Sequence, residues 1–208
     1  MFDFNGTLSD DEPILCEIFG RLFAEYGKPL SAQEYFDELV GLSDPEIVHR
    51  WLGSDHPAVQ EILERRIALY EVRVADGSSV REAVRRAVEY TAERTRVAVV
   101  SGAARAEIEA VLRGSGLAAS VEAIVAAEDV VEGKPHPDGY LRALTLLGEG
   151  LRPHEVIVFE DSEVGVASAK AAGMRCVAVL GTVEPNRLAQ ADELVPAIDV
   201  PLMRRLLG

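Results

Sequence analysis

Arg96-Val97-Ala98-Val99-Val100-Ser101-Gly102 is the stretch on which the reading of the fold turns. A short β-branched run that ends in Ser-Gly, followed by a helical pattern over Ala104–Arg113, reads as a strand handing over to a helix. The unit recurs downstream. Ala123–Ala127, Val156–Glu160 and Cys176–Leu180 are further strand candidates, with helical patterns over Pro137–Leu147 and Ser162–Ala172 between them. Gly116 and Gly173 stand just past two of these helices, where stop signals belong. Repeated strand–helix units imply an α/β fold: a parallel sheet between two helical layers.

Upstream the pattern changes. From about Asp10 to Ala75 the apolar residues recur at helical spacing: Ile14, Ile18 and Leu22, then Tyr35, Leu39 and Val40, then Ile47, Val48, Trp51 and Leu52, then Val59, Ile62, Leu63 and Tyr70. No β-rich run interrupts them. The sequence therefore predicts an all-helical insertion over residues 10–76, set into an α/β domain built from 1–9 and 77–208. Met1–Phe4 is short for a central strand of about 5–6 residues. This predicts either an unusually short first strand or a true N-terminus upstream of Met1.

Bulk properties exclude several functions. The chain has 208 residues, 48% hydrophobic and 27% charged, enough for one core with a small inserted unit and too apolar for disorder. A net charge of −14 with no basic cluster beyond Arg-Arg argues against nucleic acid and anionic membrane surfaces as partners. Any phosphate site must then work through local cations, a metal or backbone amides, and the only lysines are Lys28, Lys134 and Lys170. No apolar run reaches bilayer length, and the first residues lack the basic and apolar regions of a signal peptide. Cys16 and Cys176 lie in apolar runs and read as free thiols, which points to a cytoplasmic protein.

In an open parallel sheet, ligands bind beyond the carboxyl ends of the strands. Four polar sites fall there: Asp3-Phe4-Asn5-Gly6-Thr7, Ser101-Gly102, Gly133-Lys134-Pro135 and Glu160-Asp161-Ser162. Each alone has a plainer explanation. Asp3 fits an Asx-turn, Ser101 and Ser162 fit helix N-caps, Lys134 fits a solvated turn and Glu160-Asp161 an acidic corner. All four in order, each at a strand end, place a carboxylate nucleophile, a hydroxyl, a cation and an acidic pair around one crevice.

These residues, with Leu8, His136-Pro137, Phe159, Gly165 and Ala169-Ala172-Gly173, resemble the haloacid dehalogenase-like superfamily, in its phosphatase and β-phosphoglucomutase-like branch with a helical cap. The resemblance covers essentially the whole chain. It implies a Rossmann-like core and a magnesium-dependent phosphatase acting on a small phosphorylated metabolite, as a monomer or homodimer. By that resemblance Asp3 forms an aspartyl phosphate; Asp3, Asp161, the Asn5 carbonyl and Glu160 surround Mg²⁺; and Ser101, the Gly102 amide and Lys134 hold the phosphoryl oxygens. Carboxylate attack on phosphorus splits the transfer into two easier steps, and hard oxygen ligands suit magnesium.

Asn5 breaks the family pattern. An Asp usually stands there, protonating the leaving oxygen and then activating water, whereas an amide exchanges no proton near neutral pH. The favoured reading is a phosphatase that is slow or atypical. The alternatives are a protein that binds a phosphorylated ligand without turnover, and other chemistry of the superfamily. A mutase is disfavoured because Asp44, in Gly41-Leu42-Ser43-Asp44, replaces a basic residue and would repel a second phosphate. Ser43, His49 and Arg50 are the expected substrate contacts from the cap.

Overall fold

A computed structural model describes all of residues 1–208. Met1–Asp3 lies at the centre of the sheet. Phe2 bridges in parallel to Val99 on one side and Phe159 on the other, the Asp3 amide donates to the Phe159 carbonyl (2.9 Å), and the Met1 amine donates to the Ile157 carbonyl (2.8 Å). The flanking strands are β1 (Ala98–Val100), paired with β2 (Ala123–Val125), and β3 (Ile157–Glu160), paired with β4 (Arg175–Val179) and then β5 (Glu193–Val195). All pairings are parallel. With the N-terminal segment taken as first, the spatial order is 3-2-1-4-5-6, the doubly wound arrangement. The Rossmann-like α/β expectation holds.

The helices are α1 (Glu12–Glu25), α2 (Ala32–Glu34, continuing as a π-turn over Tyr35–Leu39), α3 (Asp44–Leu52), α4 (Val59–Val74), α5 (Glu82–Ala92), α6 (Arg105–Gly114), α7 (Asp138–Leu147), α8 (Glu163–Ala171) and α9 (Val200–Leu207). Alternation along the strands explains the two layers on the sheet. Ala98, Val100, Val158, Cys176 and Ala178 pack with Tyr140 of α7 and Val166 and Ala169 of α8. Phe2, Val99, Phe159 and Val177 face the other way, into the same cluster as α5, α6 and α9. Phe2 and Phe159 stack at 4.9 Å across the central pairing.

That second cluster runs on without a break into α1–α4. Phe19 stacks on Phe23 (5.4 Å) and Tyr35 (6.4 Å), and Trp51 on Phe23 (6.5 Å). β1, β2 and β3 are three, two and one residues shorter than the runs Arg96–Ser101, Ala123–Ala127 and Val156–Glu160, and β4 keeps five residues but starts one earlier than Cys176–Leu180. β5 and α9 are additions to the elements expected from sequence, whereas α5 carries Arg85-Arg86, a pair that reads from sequence as a solvated helix face. Both cysteines are free thiols, and no helix is long and apolar enough to cross a membrane.

Candidate active site

Asp3 closes the central segment with its carboxylate above the carboxyl edge of the sheet. The next residues turn sharply: the Leu8 amide donates to the Phe4 carbonyl (2.9 Å) and the Gly6 amide to the Ser9 carbonyl (2.8 Å). Gly6 has φ +76°, and a Cβ there would fall inside the Asp161 carboxylate and 2.9 Å from Thr182 Oγ1. Only glycine lets this turn lie against Asp161. The Thr7 hydroxyl donates to Asp161 Oδ1 (3.0 Å), so the first turn of the chain positions a carboxylate 154 residues away.

Lys134 lies between two acids. Its Nζ donates to Asp3 Oδ1, to Glu160 Oε1 (2.6 Å) and to the Val100 carbonyl (3.2 Å). Burial pulls the ammonium down, but Asp3 and Glu160 outweigh it and hold Lys134 above its ordinary value. Glu160 is fully buried and its acceptor positions are filled: Lys134 and the Tyr140 hydroxyl (2.6 Å) on Oε1, the Asp161 amide and the Ser162 hydroxyl (both 3.2 Å) on Oε2. Gly165, in the first turn of α8, has no side chain to collide with it.

Asp3, Glu160 and Asp161 bring one carboxylate oxygen each within 4.8 Å of one another. Burial, and then Glu160, pushes Asp3 up to about 7, with Lys134 opposing. Burial, Asp3 and Glu160 push Asp161 well above the usual carboxylate range. Three buried acids with a single ammonium between them leave negative charge uncompensated, a donor set of hard oxygens that fits a divalent cation such as magnesium.

The cavity above these groups measures about 640 Å³. Asp3, Asn5, Ser101, Gly102, Lys134, Asp161 and Ser162 all line it, as does Ser43, while Glu160 lies beneath. The four strand-end sites therefore meet. His49 and Arg50 do not line it. Ile47 and Val48 turn inward on α3, and at about 100° per residue the next two side chains point to solvent. The sequence-based expectation of substrate contacts at these two positions is corrected on that geometry.

Asn5 Nδ2 donates to Asp11 Oδ2 (3.0 Å), and the Tyr70 hydroxyl donates to the same carboxylate. Asp11 is fully buried, which raises it to about 6. Glu12 lines the cavity, accepts from the Tyr35 hydroxyl (2.8 Å), and is pushed up to about 7 by burial and Asp11. Arg66 of α4 pairs with Glu107 of α6 and with Asp44 Oδ2 (3.2 Å). Asp11, Glu12, Glu107, Tyr140 and Thr182 stand in no sequence motif of a site, Thr7 stands only within the first motif, and Arg66, which with Arg65 reads from sequence as a solvated helix face, is buried instead. The i,i+4 pair Arg66–Tyr70, whose guanidinium lies 5.2 Å from the ring, and the acidic run Asp10–Glu12 were the available signals.

The family model described as haloacid dehalogenase-like hydrolase matches residues 1–179. The chain belongs to that family. Within it, the haloacid dehalogenase-like relatives place the chain in the phosphatase and phosphomutase branch. It is 30% identical over 203 residues to validoxylamine A 7'-phosphate phosphatase of Streptomyces hygroscopicus subsp. limoneus, covering 94% of this chain and 91% of that protein. It is 29% identical over 214 residues to hexitol phosphatase B of Escherichia coli strain K12, covering 100% and 96%. Among solved structures, CbbY from Rhodobacter sphaeroides in complex with xylulose-(1,5)bisphosphate superposes with a TM-score of 0.84 at 28% identity, covering 95% of this chain and 92% of that one.

Proposed function

We propose that this protein is a phosphatase that hydrolyses a phosphate monoester of a small metabolite through an aspartyl phosphate on Asp3. The observation that carries the reading is the grouping of Asp3, Lys134 and Asp161 at one cavity wall, with Glu160 beneath holding Lys134 in place. An Asp3 oxygen forms a bond to phosphorus as the ester P–O bond breaks. Water then cleaves the aspartyl phosphate, releasing inorganic phosphate and restoring Asp3, and across the cycle a water proton reaches the leaving alkoxide. Lys134 favours the ionised, attacking form of Asp3. Ser101 Oγ accepts from the Ala103 amide (3.0 Å), which leaves its own proton for a phosphoryl oxygen.

Asp3, Asp161 and the Asn5 carbonyl are the groups that would hold a magnesium ion, with Glu160 behind them. Bound there, magnesium neutralises charge between the carboxylates and the phosphoryl group. The residues 10–76 act as a cap whose α1, α3 and α4 side chains wall the cavity above a core of 1–9 and 77–208, keeping bulk water out.

Asn5 moves no proton, and its amide is committed to Asp11. General acid–base groups typically contribute about 10²–10⁴-fold, so turnover of poor leaving groups is expected to be slow by that order. The same observation favours a second reading, ligand binding without turnover. Phosphate release from p-nitrophenyl phosphate with magnesium separates the two, because this leaving group needs no proton. Release that is abolished by Asp3→Asn and by EDTA supports the phosphatase; release that survives either change overturns the nucleophile or metal assignment.

A further inference from the structure

Arg66 is the one permanent cation that α1–α4 bring to the cavity wall, and it is already spent. The guanidinium is 2% exposed and sits between two carboxylates, Glu107, which is fully buried, and Asp44 at 3.2 Å. Glu107 is fixed in turn, its Oε2 accepting from the Ala104 amide (3.2 Å) in the first turn of α6. Phe19 and Tyr70 flank the guanidinium at 5.9 and 5.2 Å. The guanidinium cannot swing out to meet an incoming anion without leaving Glu107 buried and unpaired.

The rest of that wall is acidic. Glu12, Asp44 and Glu46 line it, so with Glu107 behind Arg66 the side of the cavity away from Lys134 carries four carboxylates against one guanidinium. Burial first, then Asp11 and more weakly Asp3, push Glu12 up to about 7. Across the cavity Lys134 serves Asp3, and His136 lies between Glu132 (3.3 Å) and Asp138 (3.2 Å). One phosphoryl dianion has a place here, beside Lys134 and the magnesium ligands. A second anion on the same molecule has none.

Resting on the phosphatase reading above, we propose that the Asp44–Arg66–Glu107 triad and Glu12 select monoesters whose remaining part carries no second anion, namely a hydroxyl-rich or amine-bearing skeleton. Bisphosphates and phosphorylated carboxylic acids are rejected by the cap wall. Hydroxyls suit Glu12 and Asp44 as hydrogen-bond donors, and an ammonium adds charge attraction. Placing like charges together across an interface costs several kcal/mol, and tenfold corresponds to about 1.4 kcal/mol, so discrimination is about tenfold or more.

The test compares kcat/KM for a hexitol monophosphate, an amino-hexitol monophosphate, the matching hexitol bisphosphate and phosphoglycolate, with p-nitrophenyl phosphate as the reference that lacks a charged tail. The two monophosphates are expected to exceed the bisphosphate and phosphoglycolate by at least about tenfold, mainly through KM. Asp44→Asn, which removes one of the two counter-charges on Arg66, should shrink that ratio. Equal or better turnover of the doubly anionic compounds, or a ratio unmoved by Asp44→Asn, overturns the proposal. If p-nitrophenyl phosphate itself is not hydrolysed, the phosphatase reading fails instead. The selection is then read from the rise in Tm with each ligand, where a larger rise with the bisphosphate, or none with either monophosphate, overturns it.

Discussion

Asn5 turns its amide to Asp11 rather than leaving it free over the cavity, and this sets what a carboxylate at that position would do. In Asn5→Asp the new group faces Asp11, which burial already raises to about 6, so the two share a proton near neutral pH. A protonated carboxyl beside Asp3 would supply the acid that the proposed reaction lacks. Turnover of an unactivated alkyl phosphate is expected to rise by about tenfold or more, with little change on p-nitrophenyl phosphate, measured as kcat for both. No gain on the alkyl ester would show that another group already supplies the proton. Gly6 makes a contrasting case. Gly6→Ala puts a Cβ at positive φ into the Asp161 carboxylate, and both phosphate release and the Tm rise on adding magnesium should fall sharply. The sequence announced Asp3, Ser101, Lys134 and Asp161 because each sits in a short local pattern at a strand end. The Asn5–Asp11–Tyr70 arrangement was not legible, since it depends on a side chain 59 residues beyond Asp11.

The strands were legible where β-branched residues run together, as in Val97–Val100 and Val156–Phe159, because both faces of a central parallel strand are buried. β5 escaped notice: Glu193-Leu194-Val195 is three residues long and leaves Leu194 at the surface. The first strand position is held by little more than Phe2, recognisable only once its neighbours are in place. The contact of α4 with α6 was invisible for the same reason. Its centre is the Arg66–Glu107 pair, 41 residues apart in sequence. The two partners are not equivalent. Arg66→Met leaves Glu107 and Asp44 without a counter-charge and is expected to cost about 3–5 kcal/mol. Glu107→Gln keeps a hydrogen-bond acceptor, and Asp44 still compensates the guanidinium, so about 1–3 kcal/mol is expected. Urea unfolding at constant m measures both. A larger loss for Glu107→Gln would mean that the pair matters for α6 capping more than for charge.

Across the whole molecule, acidic groups dominate, with a net charge of −14 and a cluster of buried carboxylates around one cavity. Asp3 and Glu12 are raised to about 7 and Asp11 to about 6, each chiefly by burial, from ordinary values near 4. A carboxyl raised in the folded state contributes stability that is fully present below its unfolded pKa and lost as pH rises through its folded one. The metal-free protein should therefore lose stability between about pH 4 and 7, the reverse of a protein whose acids are held down by salt bridges. A divalent cation acts on the same groups with the opposite dependence. Held, as proposed, by ionised Asp3 and Asp161, it must displace their protons, so its affinity is expected to rise with pH over that window. The Tm of the EDTA-treated protein is expected to fall from pH 5 to pH 8, and the rise in Tm on adding millimolar magnesium should be small at pH 5 and largest near pH 8. Asp161→Asn removes a raised acid and a proposed metal ligand together. In that variant both the fall with pH and the magnesium response should shrink. A magnesium response independent of pH, or one that survives in Asp161→Asn, would place the cation elsewhere on the acidic surface.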